Sequence, residues 1–168
     1  MLKRCRQILT LTLFILLLPV FAFAQTASEL DFMLQADTVT AAKAARFVLG
    51  AADLLPAGIS GAEAGTSTER ASASEGSPLE KTAYDMASQK DWIKVSSGEA
   101  VTMKDTAFLI MKAFDLKGGV MYRMFKNPRY AYREMVYQKL IPGHSDQKMK
   151  VSGAKLLLIL DRVMRNEE

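Results

Sequence analysis

One pattern occurs three times in this chain and limits what it can fold into: a valine, a hydroxyl residue, and then a run with helical periodicity. The three hydroxyl residues are Thr40, Thr102 and Ser152. Such residues accept hydrogen bonds from the unpaired N–H groups of a first helical turn. Counted from each hydroxyl residue, positions +4, +7, +8, +11 and +12 lie on one helix face, and all but one of these fifteen residues are apolar. These positions are Ala44, Phe47, Val48, Ala51, Ala52, Thr106, Leu109, Ile110, Ala113, Phe114, Leu156, Ile159, Leu160, Val163 and Met164.

A second similarity precedes the later two of these segments. Residues 82–93 align without gaps on residues 130–141, and both read as short helices that end in an apolar pair before a loop. Asn127 followed by Pro128 is typical of a helix start, with Asn as the cap and Pro at the first helical position. In the first unit only residues 28–34 could supply a leading helix. The sequence therefore predicts an all-α fold, a helical bundle of three helix–loop–helix repeats of which the first is truncated.

The first 24 residues read as a secretory signal peptide. Three basic residues are followed by an apolar run, and Ala22 and Ala24 are the small residues that signal peptidase recognises, so cleavage is expected before Gln25. The apolar run is only slightly shorter than the roughly 20 residues of a membrane span, which leaves an uncleaved anchor as the alternative. Cleavage would remove the one cysteine, Cys5, and place the mature protein in the periplasm or outside the cell.

Charge and composition divide the mature chain. The leader holds three of the 22 basic side chains, and the 19 left face 18 acidic ones, a net charge of about +1 that argues against a nucleic-acid partner. Residues 57–78 are almost entirely Ala, Gly, Ser, Thr, Glu and Pro, which predicts a flexible linker. The first repeat (25–56) is expected to pack with the other two (79–168) as one domain. Residues 25–100 carry 11 acids and 6 bases, and residues 101–168 carry 7 and 13, so solvated helix faces or a basic binding surface could explain the asymmetry.

A helix, a loop, a hydroxyl cap and a second helix, repeated three times, resemble S-layer homology (SLH) repeats. Leu140-Ile141-Pro142-Gly143 stands where that family has a glycine-containing turn. The resemblance implies a pseudo-threefold helical prism that binds cell-wall glycan. The family follows its Val/Ile-Thr with Arg-Ala-Glu, but here the Arg positions hold Ala41, Met103 and Gly153 and the Glu positions hold Lys43, Asp105 and Lys155. We therefore transfer the fold and not the glycan site.

Residues 122–133 form the most suggestive cluster for binding. Four bases alternate there with three tyrosines and a phenylalanine, a mixture that suits an acidic glycan or a contact with another protein. The alternative is that the aromatic rings pack inward and the bases are solvated. Trp92 is interpreted as a core residue or as a platform for a sugar ring. The candidate binding residues are Trp92, Tyr122, Arg123, Arg129, Tyr130 and Arg133.

No pattern typical of catalysis, metal binding or a cofactor is present. His144 and Asp146 lie in one polar loop, but no nucleophile elbow accompanies them, so a hydrolase is the least favoured hypothesis. With one histidine and a cysteine only in the leader, a metal site is not expected. The sequence predicts an exported, non-catalytic envelope scaffold or protein-interaction module with an envelope protein as partner. An SLH-like binder of acidic cell-wall glycan is the alternative, and no membrane partner is expected after cleavage.

Overall fold

A computed structural model describes residues 30–55, 77–142 and 146–167, and this part of the chain is all-α, as predicted. Helix α1 covers residues 30–35. The other helices are α2 (Ala41–Ala51), α3 (Pro78–Gln89), α4 (Met103–Ala113), α5 (Val120–Phe125), α6 (Pro128–Tyr137) and α7 (Gly153–Glu167). The described residues contain no β-strand, only two isolated antiparallel bridges, Thr40 with Ala100 and Thr102 with Lys150.

Helices α2, α4 and α7 each begin one residue after the hydroxyl residue, as the sequence predicts. Most positions of the predicted apolar faces are buried or half-buried, because these faces meet in one hydrophobic core. The prediction is wrong for Met164, which is exposed in the last turns of α7. Thr106 is the single polar residue of the set, and it is fully buried with no hydrogen-bond partner for its hydroxyl.

The three repeated valines meet at the centre of the fold. The N–H of Val39 donates to the carbonyl of Val151 (2.9 Å), that of Val151 to the carbonyl of Val101 (3.2 Å), and that of Val101 to the carbonyl of Val39 (3.0 Å). All three side chains are buried. These bonds form a closed cycle, which we call the valine ring, and it joins the segments that lead into α2, α4 and α7.

The same segments show that the predicted caps are only partly right. Ser152 Oγ accepts from the N–H of Lys155 (3.4 Å), as expected of a cap. Thr40 and Thr102 make no side-chain cap, and the Thr102 hydroxyl instead donates to the Asp105 carboxylate. Backbone carbonyls of neighbouring loops replace the side-chain caps. At the start of α2, the N–H of Ala41 donates to the Glu99 carbonyl and that of Ala42 to the Ser97 carbonyl. At the start of α4, the N–H of Met103 donates to the Met149 carbonyl and that of Lys104 to the Gln147 carbonyl.

Helices α3 and α6 pack on their partners in the same manner. Helix α3 lies against α2, and α6 lies against α4. Both helices are followed by a residue in the left-handed region, Asp91 (φ 56°) and Lys139 (φ 60°). The next N–H then donates back into the helix, from Trp92 to Ala87 and from Leu140 to Met135, each at 2.9 Å. The alignment of residues 82–93 with 130–141 thus corresponds to matching backbone geometry.

Gly153 allows α1 to approach the start of α7. A Cβ atom on this residue would lie 1.7 Å from the carbonyl oxygen of Met33, and the Gly153 N–H donates to the carbonyl of Ala36 (2.9 Å). The Met33 side chain is buried in the core beside this contact. Glycine at this position, where SLH repeats have Arg, therefore has a local packing reason.

Several predictions fall on residues that the structure does not describe. They are the leader (1–24), residues 57–76 of the linker, and His144. The predicted linker extends too far at its end, because Pro78 is the first residue of α3 and Ser77 caps it by accepting from the Glu80 N–H. Within the described ranges, no helix combines the length and apolar character that crossing a bilayer requires.

Candidate functional site

Most of the predicted binding cluster lies on α5 and α6, two helices that follow each other in the chain. Gly118 lets the backbone pass close to the ring of Tyr122, since a Cβ atom there would lie 2.4 Å from the tyrosine Cδ1. Gln138 directly follows the last residue of α6. Its side-chain amide donates to the Lys117 carbonyl (3.2 Å) and to the Glu134 carboxylate (2.9 Å). These contacts fix the short helix α5 against α6.

Tyr122 anchors α5 to the core and is not a surface residue. It is only 6% exposed, although the sequence proposed it as a binding residue. Burial raises the pKa of its phenol above the ordinary value of 10.0, and the nearby Asp115 carboxylate raises this pKa further. Both effects disfavour the phenolate. For this aromatic residue, the structure agrees with the alternative of inward packing.

Phe125 and Tyr130 form a stacked pair that links the end of α5 to the start of α6. Their ring centroids are 5.4 Å apart and their planes differ by 23°. Between them Lys126 adopts the left-handed conformation (φ 39°), and the Asn127 side chain caps α6 by accepting from the Tyr130 N–H (3.1 Å). Tyr130 is half-buried while Phe125 stays exposed, so this pair lies at the border between the core and solvent.

Five cations lie in the segment that contains this border. Residues 117–133 contain five basic side chains and no acidic one, and all five are exposed. They are Lys117, Arg123, Lys126, Arg129 and Arg133. The Glu134 carboxylate reaches the start of α5 beside Gly119, but positive charge is in excess, and such an excess raises the local concentration of anionic partners. The structure therefore brings together Arg123, Arg129, Tyr130 and Arg133 of the predicted site on one pair of connected helices.

Helix α5 exposes four apolar side chains, of which the predicted cluster counted only Phe125. Val120, Met121, Met124 and Phe125 are between 53% and 74% exposed. Val120 and Met124 lie one turn apart, as do Met121 and Phe125, so all four share a side of the helix opposite Tyr122. Once α5 is known to be a six-residue helix with Tyr122 turned to the core, these four residues are left on its other side. We call these four residues and the five cations named above the α5 surface.

Trp92 does not belong to this site. It follows α3, which packs on α2, whereas the α5 surface adjoins the pair formed by α4 and α6. Its ring is half-buried against the hydrophobic core, and Lys90 Nζ lies 4.6 Å from the ring centroid. One face of the indole is therefore covered by a cation. This agrees with the interpretation of Trp92 as a core residue.

The arrangement suits binding. Within residues 30–55, 77–142 and 146–167, no group of three or more His, Cys, Asp or Glu side chains could hold a metal ion. Tyr132, the third tyrosine of the cluster, is half-buried, and burial and the Asp146 carboxylate raise its pKa. The α5 surface combines exposed apolar area with exposed positive charge, and both features favour the binding of a partner.

Comparison of the chain with models of protein families, with curated proteins and with solved structures finds no match.

Proposed function

We propose that this protein is an exported, non-catalytic module of the cell envelope that works by binding another protein chain through its α5 surface. The observation that carries the proposal is the exposure of four apolar side chains on α5, in a segment that also carries five exposed cations. Apolar side chains on one side of a helix are normally covered in a folded protein, and an exposed group of them marks an interaction site. The exposed methionines add side chains that adapt to a partner's shape.

The proposal includes the three-repeat arrangement and a relation to SLH repeats. The closed hydrogen-bond cycle of the valine ring supports it, because each unit contributes one donor and one acceptor in the same register. The matching ends of α3 and α6 support it as well. In this view the three units form a rigid support, and α5 is an addition between the second and the third unit that supplies the binding surface.

A protein partner is favoured over a cell-wall glycan by the state of the aromatic rings. Sugar rings stack on free aromatic faces, but the face of Tyr130 is stacked by Phe125 and that of Trp92 by Lys90. The positions that hold Arg in SLH repeats are Ala41, Met103 and Gly153, all of them buried. Neither feature supports a glycan site of the family's usual kind.

Photo-crosslinking in intact cells tests the proposal. A photoreactive amino acid replaces Met124 on the α5 surface or, as a control, Met164, which is also exposed but lies on α7. We expect discrete adducts with one protein chain, a second copy included, from position 124 and not from position 164. Equal adducts from both positions, or none from position 124, would contradict the proposal. Retention on purified peptidoglycan without a protein adduct would favour the glycan alternative.

A further inference from the structure

A second surface on the same chain has the character that a partner of the α5 surface should have. Helix α1 exposes Leu30, Phe32 and Leu34, which are between 45% and 64% accessible. Asp31 and Asp37 are exposed beside them, and residues 30–38 contain no basic side chain. We call these five residues the α1 surface. Leu30 and Leu34 lie one turn apart on one side of α1, whereas Phe32 lies on another side with Lys43 over its ring. The α1 surface thus pairs apolar side chains with two exposed carboxylates, while the α5 surface pairs apolar side chains with positive charge.

The α1 surface is held in place by the body of the fold. The buried Met33 side chain fixes α1 to the core, and the Ala36 carbonyl accepts the N–H of Gly153 at the start of α7. Lys43 on α2 lies over the Phe32 ring, 4.7 Å from its centroid. A surface that is already ordered loses little conformational entropy when it binds.

The two surfaces are both exposed in the single chain, so they do not cover each other within one molecule. They are also attached to different elements, α1 to the start of α7 and α5 to α6. We infer that the α5 surface of one copy docks on the α1 surface of a second copy, which makes the protein a self-assembling scaffold. This rests on the proposed function and specifies its partner.

Contact between two different surfaces has a consequence for the assembly. After the first contact one copy keeps a free α1 surface and the other keeps a free α5 surface, so assembly continues into a ring or an open chain. The apolar groups are few and the charges are exposed, so each contact is small and weak. Association therefore depends on protein concentration and weakens as salt screens the opposite charges.

Sedimentation velocity of the protein expressed from its full sequence tests the inference. At low salt and micromolar concentrations we expect species larger than the monomer, which dissociate at high salt. Two double variants each reverse the charge of one surface. Arg123→Glu (on α5) with Arg129→Glu (on α6) alters the α5 surface, and Asp31→Lys (on α1) with Asp37→Lys (after α1) alters the α1 surface. Each should weaken self-association about tenfold or more. Lys81→Glu with Lys148→Glu makes the same charge change as the α5 variant at exposed sites elsewhere and should leave assembly as in the wild type.

Mixing the two surface variants gives the decisive result. Each variant retains one wild-type surface, so the α5 surface of the α1 variant docks on the α1 surface of the α5 variant. The two altered surfaces also carry opposite charges, Glu on the α5 surface and Lys on the α1 surface, so they attract each other as well. The equimolar mixture is therefore expected to form hetero-assemblies while each variant alone remains mostly monomeric. Far-UV circular dichroism of each variant verifies that it has folded.

Three results would overturn the inference. The wild type could stay monomeric throughout, and vesicle binding by that monomer would identify an anionic lipid surface as the occupant instead. The α1 variant could assemble like the wild type while the α5 variant does not, which would indicate a symmetric contact between two α5 surfaces. The two variants could both assemble normally. A monomer that still crosslinks to a different envelope protein from position 124 would leave the proposed function intact and remove only this inference.

Discussion

Apolar side chains are buried in the valine ring and exposed on the α5 surface. In the ring, Val39, Val101 and Val151 bury their side chains and satisfy one another's backbone groups. On α5, Val120 and Met124 are exposed on a six-residue helix between α4 and α6. The buried positions of the ring thus hold the fold together, and the exposed side of α5 offers a surface. Stability should therefore be sensitive at the buried positions and insensitive at the exposed positions of α5.

The largest expected effect is at the contact that joins α1 to α7. Gly153→Ala would place a Cβ atom 1.7 Å from the Met33 carbonyl oxygen, so the backbone of one of the two segments must move. We expect a loss of about 3 kcal/mol or more in the free energy of unfolding, measured by urea denaturation. Gly98→Ala is the control, because a Cβ there meets nothing within 4 Å and should change stability by less than about 0.5 kcal/mol. Equal midpoints for the two variants would show that α1 does not pack on α7 as described.

Replacing one methionine in the core and one on the α5 surface tests the difference between the two regions directly. Met135 on α6 is fully buried, and Met135→Ala should cost about 2–5 kcal/mol in unfolding free energy through lost apolar contact and a residual cavity. Met121 on α5 is 59% exposed, and Met121→Ala should stay within about 0.5 kcal/mol of the wild type. Chemical denaturation measures both. A large cost at Met121 would mean that its side chain is covered in the folded protein.

One substitution in the core should increase stability. The Thr106 hydroxyl is fully buried without a hydrogen-bond partner, which carries the cost of removing a polar group from water. Thr106→Val keeps the shape and removes that group, so thermal and chemical unfolding should show a gain of about 1–2 kcal/mol. A loss of stability would reveal that the hydroxyl has a partner.

The helix starts provide a smaller test. Asn127 Oδ1 accepts the Tyr130 N–H at 3.1 Å, and Asn127→Ala should cost about 1 kcal/mol in unfolding free energy. Thr40 makes no such bond, because loop carbonyls take the first N–H groups of α2, so Thr40→Ala should cost less. If the order of the two costs is reversed in denaturation experiments, side-chain capping and not the neighbouring loop stabilises α2.

Tyr122, which anchors α5, should make the stability of the folded protein depend on alkaline pH. Burial and Asp115 raise the pKa of Tyr122 in the folded state, while the unfolded chain has the ordinary value of 10.0. The unfolded state therefore loses its phenolic proton first as pH rises, so this residue's contribution to stability is complete below pH 10 and declines as pH rises through the folded-state pKa. Tyr122→Phe should show a weaker loss of stability above pH 10. Parallel alkaline profiles for the wild type and the variant would argue against a buried Tyr122.

The repeated positions could be predicted from the sequence because one physical rule governs them. A hydroxyl residue followed by a 3.6-residue apolar period identified the starts of α2, α4 and α7, and the alignment of residues 82–93 with 130–141 anticipated the equivalent ends of α3 and α6. The missing caps at Thr40 and Thr102 could not be predicted, because the carbonyls that replace them come from loops distant in sequence. Met164 was assigned to a buried face by local periodicity, which does not show where the neighbouring helices end.

The candidate site was harder to predict than the fold. The sequence located the cluster and its cations, but it treated Tyr122 as a binding residue, whereas the structure uses that ring to fix α5 to the core. It also missed the exposed Val120 and Met124, since composition alone does not tell an apolar residue that packs inward from one that faces solvent. Which side of α5 faces the core is decided by Gly118 and Gln138, through contacts made only in the folded chain.

Native-state amide hydrogen exchange, followed by NMR residue by residue, tests the central claim most directly. If the valine ring joins the segments that lead into α2, α4 and α7, the amide protons of Val39, Val101 and Val151 should exchange together, at the slow rate set by global unfolding. The amides of α5 should exchange faster, through local opening. Rapid exchange at any one of the three valines, or protection on α5 equal to that of the ring, would contradict the account.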